Sequence, residues 1–328
     1  MEGSLTQAFG KMGHGILRYS PNPVACVVDS EHAGGDVVAL TGIPRRCPVV
    51  KTLEEARSLG AEVFVLGIAP PGGSIPSAWY GTIDHAVQLG MSVLNGLHDL
   101  LGHRYPELAP GQWIWDVRVE PEGLTNASGA AATLPNQRVL MVGSDMAIGK
   151  MTAGLEVQKE YLSRGKKAEF VATGQIGITI TGAGVPLDAV RLDFASGAIE
   201  REVLRYRDAD VIVIEGQGSL VHPASTANLP LLRGSMPTHL IFCHRAGQTA
   251  LARLPEVKLP PLPRLIQLYE DLGEACGSFA RPRTLSVALN TAHVALDTDA
   301  LDACKAVEDE TGLPCADPVR HGCATLCG

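Results

Sequence analysis

No apolar run in this chain approaches the length of a membrane span, so no membrane-spanning helix and no membrane partner are expected. The opening residues, MEGSLTQAFGKMGHG, lack a basic end followed by an apolar stretch, so no secretory signal is visible and a cytoplasmic protein is expected. Basic residues form no patch: lysines and arginines are scattered, the net charge is −8 and the isoelectric point is near 5.7. That removes the electrostatic footprint of a nucleic-acid binder. The eight cysteines show no paired CxxC spacing and need no disulfide role in a chain this large; Cys26, Cys243 and Cys276 lie within or beside apolar segments and read as reduced thiols. Cys315, His321, Cys323 and Cys327 fall close together in the tail, yet without the spacing of a dependable zinc site, and no metal is expected there. Internal repeats and low-complexity arrays are absent.

What is present is ample core material. The chain is 328 residues long, 45% hydrophobic and 19% charged, enough for two globular domains. Short apolar runs alternate with helical periods, the pattern of parallel sheets covered by helices. In the first half, strands are expected at Val24 to Val28, Ala61 to Gly67 and Met91 to Asn95. Helices are expected over Thr52 to Gly60, with Thr52 as cap and Glu55 three residues on, and over Ile83 to Leu89. The chain opens on a glycine-containing turn (Glu2, Gly3, later Gly10) with no strand ahead of it, so a first strand is either missing or contributed differently. The small, polar stretch 124–137 reads as a linker between domains 1–123 and 138–328. Beyond it, strands are expected at Arg138 to Val142, Ala168 to Ala172, Val211 to Ile214, His239 to Cys243 and Leu285 to Leu289. The proline-rich run Pro255 to Leu265 cannot be regular helix or sheet and reads as an ordered connection ahead of the helix IQLYEDLGEAC.

The strongest local signal is RVLMVGSDMAIGKMTAGLEVQKEYL: an apolar strand, a turn bounded by Gly143 and Gly149, Lys150, then an amphipathic helix. This is the layout of a phosphate-binding P-loop, whose backbone N–H groups converge on phosphate oxygens at a helix N-terminus. The cradle spans Gly143, Ser144, Asp145, Met146, Ala147, Ile148, Gly149, Lys150, Met151 and Thr152. Two features depart from GxxxxGK[ST]. The two glycines enclose five residues, and Met151 stands where a nucleotide triphosphatase places its Mg²⁺-binding hydroxyl, with Thr152 one place later. Asp145 is either a compensating ligand or a residue that shapes the turn.

Two further sheet ends carry polar and glycine residues. The strand Val211 to Ile214 ends at Glu215, followed by Gly216, Gln217, Gly218 and Ser219, where a Walker B acid would stand. Glu215 is a candidate cation ligand, general base or anchor for an amine, or else a turn carboxylate. His222 is a candidate proton acceptor or a structural loop residue. The strand ending at Ala172 leads into Thr173, Gly174 and Gln175, at the end where open parallel sheets bind ligands. Asp188 and Asp193 can reach a cation or a substrate amine or, more plainly, read as cap and surface charge. Asn290 follows a strand and can read a base edge, and Arg245 suits a carboxylate or phosphate. Gly72, Gly73 and Ser74 line a ligand cleft or form a rigid turn.

GSDMAIGKMT and EGQGSL resemble the GTDxxxGKT loop and EGAGG segment of dethiobiotin synthetase and its relatives. Almost the whole chain resembles a two-domain bacterial and archaeal family long of unknown function and now associated with D-glutamate N-acetyltransferase. The matching runs are HGILRYSPNPVACVVDSEHAGG, LGIAPPGGSIPSAWYGTIDHAVQLGMSVLNGLHDLLG, GSDMAIGKMT, FVATGQIGI, EGQGSLVHPAS and FCHRAGQ. The resemblance implies an α/β protein, an N-terminal Rossmann-like domain plus a C-terminal P-loop NTPase-like parallel-sheet domain. It also implies N-acetyl transfer from acetyl-CoA to a D-amino acid.

On that reading the P-loop residues, with Asn290, hold the CoA phosphates, and Lys150, Glu215 and His222 form the catalytic set. Thr173, Gly174, Gln175, Gly216, Gln217, Gly218, Ser219 and Arg245 bind the substrate. Two alternatives stand beside it: an ATP/Mg-dependent ligase or kinase of the dethiobiotin synthetase type, and a nucleotide-sensing binding protein without turnover. Enzymes of this size are commonly symmetric, so a homo-oligomer is expected.

Overall fold

The computed structural model describes residues Met1–Gly328. The chain divides into two compact units, Met1–Val119 with Gln175–Pro186, and Glu120–Gly174 with Leu187–Gly328. The stretch 124–137, read from sequence as a linker, is folded into the second unit. There Asn126 Nδ2 donates to the Asp193 carbonyl, and the backbone N–H and hydroxyl of Ser128 both donate to Glu200 Oε2. The excursion of Gln175–Pro186 into the first unit has no counterpart in the sequence reading.

The first unit opens on a 3₁₀ turn, Ala8–Gly10, and α1 (Lys11–Tyr19). Then come β1 (Val27–Val28), α2 (Val37–Thr41), β2 (Val49–Val50), α3 (Leu53–Ser58), β3 (Val63–Val65), α4 (Tyr80–Gln88), β4 (Ser92–Asn95) and β5 (Ile114–Asp116). β1 pairs with β2, and β3-β4-β5 form a separate sheet; all these pairings are parallel. Thr52 caps α3 by accepting the Glu55 N–H, the local interaction its sequence announces. Leu66, Ile83, Val93 and Leu97 fill the core beneath the three-stranded sheet. The expected strands are present but shorter, and β2 and β5 are too brief to have left a sequence period.

The second unit carries β6 (Gln137–Gly143), α5 (Lys150–Ser163) and β7 (Ala168–Val171). The chain then contributes α6 (Gln175–Thr181) to the first unit and returns with α7 (Leu192–Arg205), β8 (Val211–Ile214), α8 (Asn228–Ser235) and β9 (His239–Arg245). A hairpin, β10 (Ala250–Leu251) and β11 (Leu254–Lys258), precedes α9 (Leu262–Glu274), β12 (Arg283–Asn290), α10 (Asp297–Thr311) and β13 (Cys315–Ala316). Six parallel strands stand in the order β13-β12-β9-β6-β8-β7. Later strands add on opposite sides of β6, so its carboxyl end lies at the switch point where open α/β sheets bind ligands. β8 is wholly buried and β6 and β9 nearly so, which is why they read as apolar runs instead of alternating ones.

The proline-rich run is more regular than its composition predicts. Pro255 lies inside β11, where a two-stranded antiparallel hairpin with a register shift leaves room for a residue that cannot donate. α9 starts at Leu262, with Pro263 in its first turn, where no intrahelical donor is lost.

Candidate active site

β6 ends at Gly143 and α5 begins at Lys150, so residues 144–149 form a loop across the carboxyl end of the central strand. The turn is strongly bent: Ala147 has φ +53° and Gly149 φ +107°. The second value is one that glycine alone adopts cheaply. Within the loop the Ser144 N–H goes to the Cys243 carbonyl and the Met146 N–H to Asp145 Oδ1. Met146 and Ala147 at the crown are exposed, whereas Ser144, Asp145 and Lys150 are buried.

Lys150 donates from Nζ to the Asp145 carbonyl at 2.7 Å. Burial pulls its pKa down to about 8, against the opposing pull of Cys243, Asp145 and Glu215. Asp145 is a bracket: Oδ1 accepts the Met146 N–H at 2.6 Å, and Oδ2 accepts Gln248 Nε2 at 2.6 Å and the Ala252 N–H at 2.8 Å. Both oxygens are committed to shaping the loop; the turn of the β10–β11 hairpin supplies one donor, Ala252, and Gln248, just ahead of the hairpin, another. Asn290 also props the loop, donating from Nδ2 to the Ile148 carbonyl at 3.0 Å, and Arg245 reaches the Ala147 carbonyl at 3.1 Å. Ser144 Oγ lies within hydrogen-bond distance of His244 Nδ1, at 2.8 Å; burial, with Arg245 beside it, drives the His244 imidazole down to about 4, so it is neutral.

Glu215 stands beside this loop at the end of β8, 4% exposed. Its Oε2 accepts the N–H groups of Thr173 and Gly174 at 2.8 and 3.1 Å, while the Thr173 hydroxyl donates to its carbonyl. Burial pushes its pKa up to about 7, held from going higher by those two N–H groups, Lys150 and Gln217. Gln217 Nε2 donates to Thr173 Oγ1 at 3.1 Å. Gly216 has no room for any side chain: a Cβ there would sit 1.6 Å from the Met141 carbonyl oxygen. Glu215, Thr173, Gly174, Gln217, Lys150 and the P-loop are therefore one assembly built from β6, β7 and β8.

Other expected residues are placed differently. His222 lies in a tight turn of its own, where its Nδ1 accepts the Ala224 N–H at 3.1 Å and its carbonyl accepts the Ser225 N–H. Ser219 gives its N–H to Ser225 Oγ, so that donor is engaged. Met151 and Thr152 lie in the first turn of α5, and Gln175 opens α6, in the first unit. Asp188 is in a 3₁₀ turn, Leu187–Ala189, and Asp193 in the first turn of α7. Gly72 and Gly73 form a 3₁₀ turn in which Gly73 donates to Pro70 and accepts from the His98 N–H, the rigid-turn alternative. In the tail, Cys315 opens β13 and the Cys327 thiol points to the Val157 carbonyl. Among the described residues no group of three His, Cys, Asp or Glu side chains is arranged to hold a metal ion, and no helix is long and apolar enough to cross a membrane.

Sequence reasoning missed Tyr269 and Gln248. The Tyr269 hydroxyl, on the buried face of α9, donates to the Gly143 carbonyl at 2.9 Å and accepts the Leu220 N–H at 3.1 Å. It ties the end of β6 to the loop that follows Glu215. In sequence it is one apolar-face position in LIQLYEDLG, and nothing but its hydroxyl distinguishes it. Gln248 leaves its Oε1 buried and without a hydrogen-bond partner beside the P-loop. It was visible in FCHRAGQ as a polar residue just past a strand end.

Comparison with known proteins agrees with this architecture. Residues 125–327 match a family model described as a domain of unknown function, DUF1611, P-loop domain, and residues 30–120 match its N-terminal Rossmann-like domain. A protein from Tritonibacter scottomollicae named D-glutamate N-acetyltransferase is 37% identical over 303 residues, 90% of this chain and 89% of that one. One of the same name from Pseudoalteromonas sp. is 34% identical over 276 residues, 82% and 81% of the two chains. The crystal structure of a DUF1611 family protein from Anabaena variabilis superposes with a TM-score of 0.96 at 48% identity, covering 99% of this chain and 96% of that one. A Rossmann-like unit, a P-loop unit with a buried glutamate beside its lysine, and relatives alike over nearly their full length place the chain in the DUF1611 family.

Proposed function

We propose that this chain is an N-acetyltransferase that moves the acetyl group of acetyl-CoA to the amine of a D-amino acid, D-glutamate first among them. The observation that carries the reading is Glu215, a buried carboxyl with a pKa near 7, held by two backbone N–H groups next to a phosphate cradle whose lysine is followed by methionine. Acetyl transfer hydrolyses no nucleotide, so the cradle needs positive charge and N–H groups but no Mg²⁺-binding hydroxyl. The names of the two relatives support the same reaction.

The residues fit a CoA phosphate. Loop 144–149 stands at the N-terminus of α5, and Lys150, poised near pH 8, regains its full charge when an anion replaces the Asp145 carbonyl as its partner. CoA would supply the activated acetyl group at that cradle. Glu215 takes the proton from the attacking ammonium, because only the neutral amine is a nucleophile, and a carboxyl near pH 7 is matched to that task. His222 is a poorer base: its Nδ1 lone pair is engaged with Ala224, which leaves the proton on Nε2. Backbone N–H groups of Gly216 to Gly218 serve as oxyanion donors in place of Ser219, and Arg245, beside the loop, takes a substrate carboxylate. The ATP/Mg reading is less favoured because both Asp145 oxygens are spent on the loop itself.

Thermal unfolding of the protein with acetyl-CoA and, separately, with Mg-ATP is the first test. Ligand at a hundred times Kd adds about 2.7 kcal/mol of stability. Stabilisation by acetyl-CoA, followed by release of free CoA thiol on adding D-glutamate, is expected. Stabilisation by Mg-ATP alone, or an acetyl-CoA complex that turns over no amine, overturns the proposal.

A further inference from the structure

Past Gly218 the loop that follows Glu215 gives each of its next three N–H groups to a hydroxyl: Ser219 to Ser225 Oγ at 3.0 Å, Leu220 to Tyr269 Oη at 3.1 Å and Val221 to Ser219 Oγ at 3.4 Å. Gly218, at φ +65°, wraps Ser225 so closely that a Cβ there would lie 1.8 Å from its Oγ. Asn228, the first residue of α8, donates from Nδ2 to the same Oγ at 2.8 Å and brings its Oδ1 to 3.3 Å from Tyr269 Oη. The Tyr269 proton goes to the nearer acceptor, the Gly143 carbonyl at 2.9 Å, where β6 ends and the P-loop begins. One hydroxyl therefore bonds to both loops of the site. It has no freedom to drift, since the Tyr269 ring is 1% exposed and stands edge-on to Phe242 of β9.

We propose, resting on the acetyl-transfer reading above, that Tyr269 is a positioning residue: its hydroxyl sets the N–H groups of Gly216 to Gly218 in register with the CoA cradle. Those donors ride on the loop after β8, whereas the cradle is the loop after β6. An oxyanion donor is effective only about 2.7–3.1 Å from the developing charge, so a small drift of one loop past the other costs rate without unseating the cofactor. The cradle keeps its own shape through the bonds of Asp145 and Asn290, in none of which Tyr269 takes part.

β6 carries a matched hydroxyl at its other end. Tyr161, on α5 and 4% exposed, accepts Gln137 Nε2 and donates to the Cys327 carbonyl, both at 3.0 Å. Gln137 opens β6 and Gly143 closes it, so the two hydroxyls brace opposite ends of the strand, about 20 Å apart at the rise of an extended chain. Tyr161 is buried and bonded much as Tyr269 is, and its bonds reach neither loop of the site.

The test compares Tyr269→Phe with Tyr161→Phe in the full chain. Each keeps the ring and removes one buried hydroxyl, so a lower melting temperature is expected of both. In Tyr269→Phe, kcat for CoA release from acetyl-CoA and D-glutamate, counted per acetyl-CoA bound, is expected to fall roughly tenfold or more while Kd for acetyl-CoA stays within about twofold. Tyr161→Phe is expected to keep the parent's kcat per site. Hydrogen exchange without ligand is expected to quicken at Leu220 in Tyr269→Phe alone, with α5 unchanged. An equal fall of kcat in both variants, an unchanged kcat in Tyr269→Phe, a loss that falls on Kd instead, or unaltered exchange at Leu220 overturns the proposal. Should the parent transfer no acetyl group, it is the acetyltransferase reading that fails, and exchange at Leu220 alone decides whether Tyr269 holds the loop. Where Tyr269→Phe does not fold, Asn228→Ala, which releases Ser225 and leaves the ring in place, is expected to show the same split between kcat and Kd.

Discussion

The two units solve the same problem, a parallel sheet under helices, with different means. The second has a continuous six-stranded sheet whose inner strands are buried along nearly all their length. In the first the strands are two to four residues long and split into two sheets, so ladders alone leave many backbone groups without partners. Polar side chains fill the gap. Asp29 accepts the N–H groups of Gly3, Leu5 and Glu31, and the Arg45 guanidinium reaches the carbonyls of Leu17, Ser20 and Asn22. Asp116 accepts from Leu101, Gly102 and Asn95. The second unit has such brackets too, Arg138 on the carbonyls of Leu134, Asn136, Ser235 and Met236 and Asp317 on the N–H groups of Thr291, Val319 and Arg320. A further set, Asp145 and Glu215, stands at the carboxyl ends of β6 and β8. The difference teaches that a polar side chain in the first unit does the work of missing strand, whereas in the second it is added to a sheet already complete, and there burial shifts the pKa values of Lys150 and Glu215.

Gly216→Ala breaks that comparison most severely. Its Cβ would meet the Met141 carbonyl oxygen, main chain of the central strand, and no rotamer relieves a clash with backbone. More than about 4 kcal/mol of destabilisation is expected, the range of overpacking and displaced backbone hydrogen bonds together. Loss of the thermal transition, or of acetyl-CoA stabilisation where the variant still folds, is the readout; an ordinary melting profile would mean β6 and β8 tolerate separation.

Glu215→Gln sharpens it by giving the opposite sign. Folded, the carboxyl keeps its proton up to about pH 7, whereas its ordinary value is 4.5. Its contribution to stability is therefore complete below about pH 4.5 and declines as pH rises to 7, by roughly 3 kcal/mol, after which it is level. Glutamine has no proton to lose. The variant is expected to gain on the parent across that window and to melt higher at pH 8, while transferring no acetyl group. In the parent, kcat/KM is expected to rise through about pH 7 as Glu215 ionises and to fall above about 8 as Lys150 loses its charge. A stability difference flat from pH 4 to 8 would show that Glu215 titrates in the folded chain as it does in the unfolded one, and would overturn the raised value.

The same contrast explains what was legible in the sequence. β6, β7, β8, β9 and β12 are apolar runs because both faces are covered, and the sequence readings agree with them to within two residues at every end. The P-loop and Glu215 were legible because glycine, lysine and acid stand at strand ends, where a packed core has no use for them. β2 and β5 were not, since two or three residues show no period, and β11 was hidden by prolines that only an isolated hairpin accommodates. The excursion of 175–186 into the first unit is tertiary and leaves no local mark. Tyr269 and the commitment of both Asp145 oxygens were invisible for a related reason: a side chain that braces a loop from another element looks, in sequence, like core or turn.

Asp116→Ala is the smaller perturbation and the one that isolates the first unit's strategy. It strands the N–H groups of Leu101 and Gly102 and the Asn95 amide at the carboxyl end of β4 and β5; Gly102 is exposed and water can take over its bond, whereas Leu101 and Asn95 are buried. About 2 kcal/mol is expected, near the cost of leaving one or two such donors unpaired. Hydrogen exchange should place the loss within residues 95–116, with protection in β6, β8 and β9 unchanged. That pattern would mean a single carboxylate stands in for strand length in the first unit. Equal loss of protection in the second unit's sheet would mean that the two units unfold as one, and that short ladders there are tolerated because the larger sheet holds the whole chain folded.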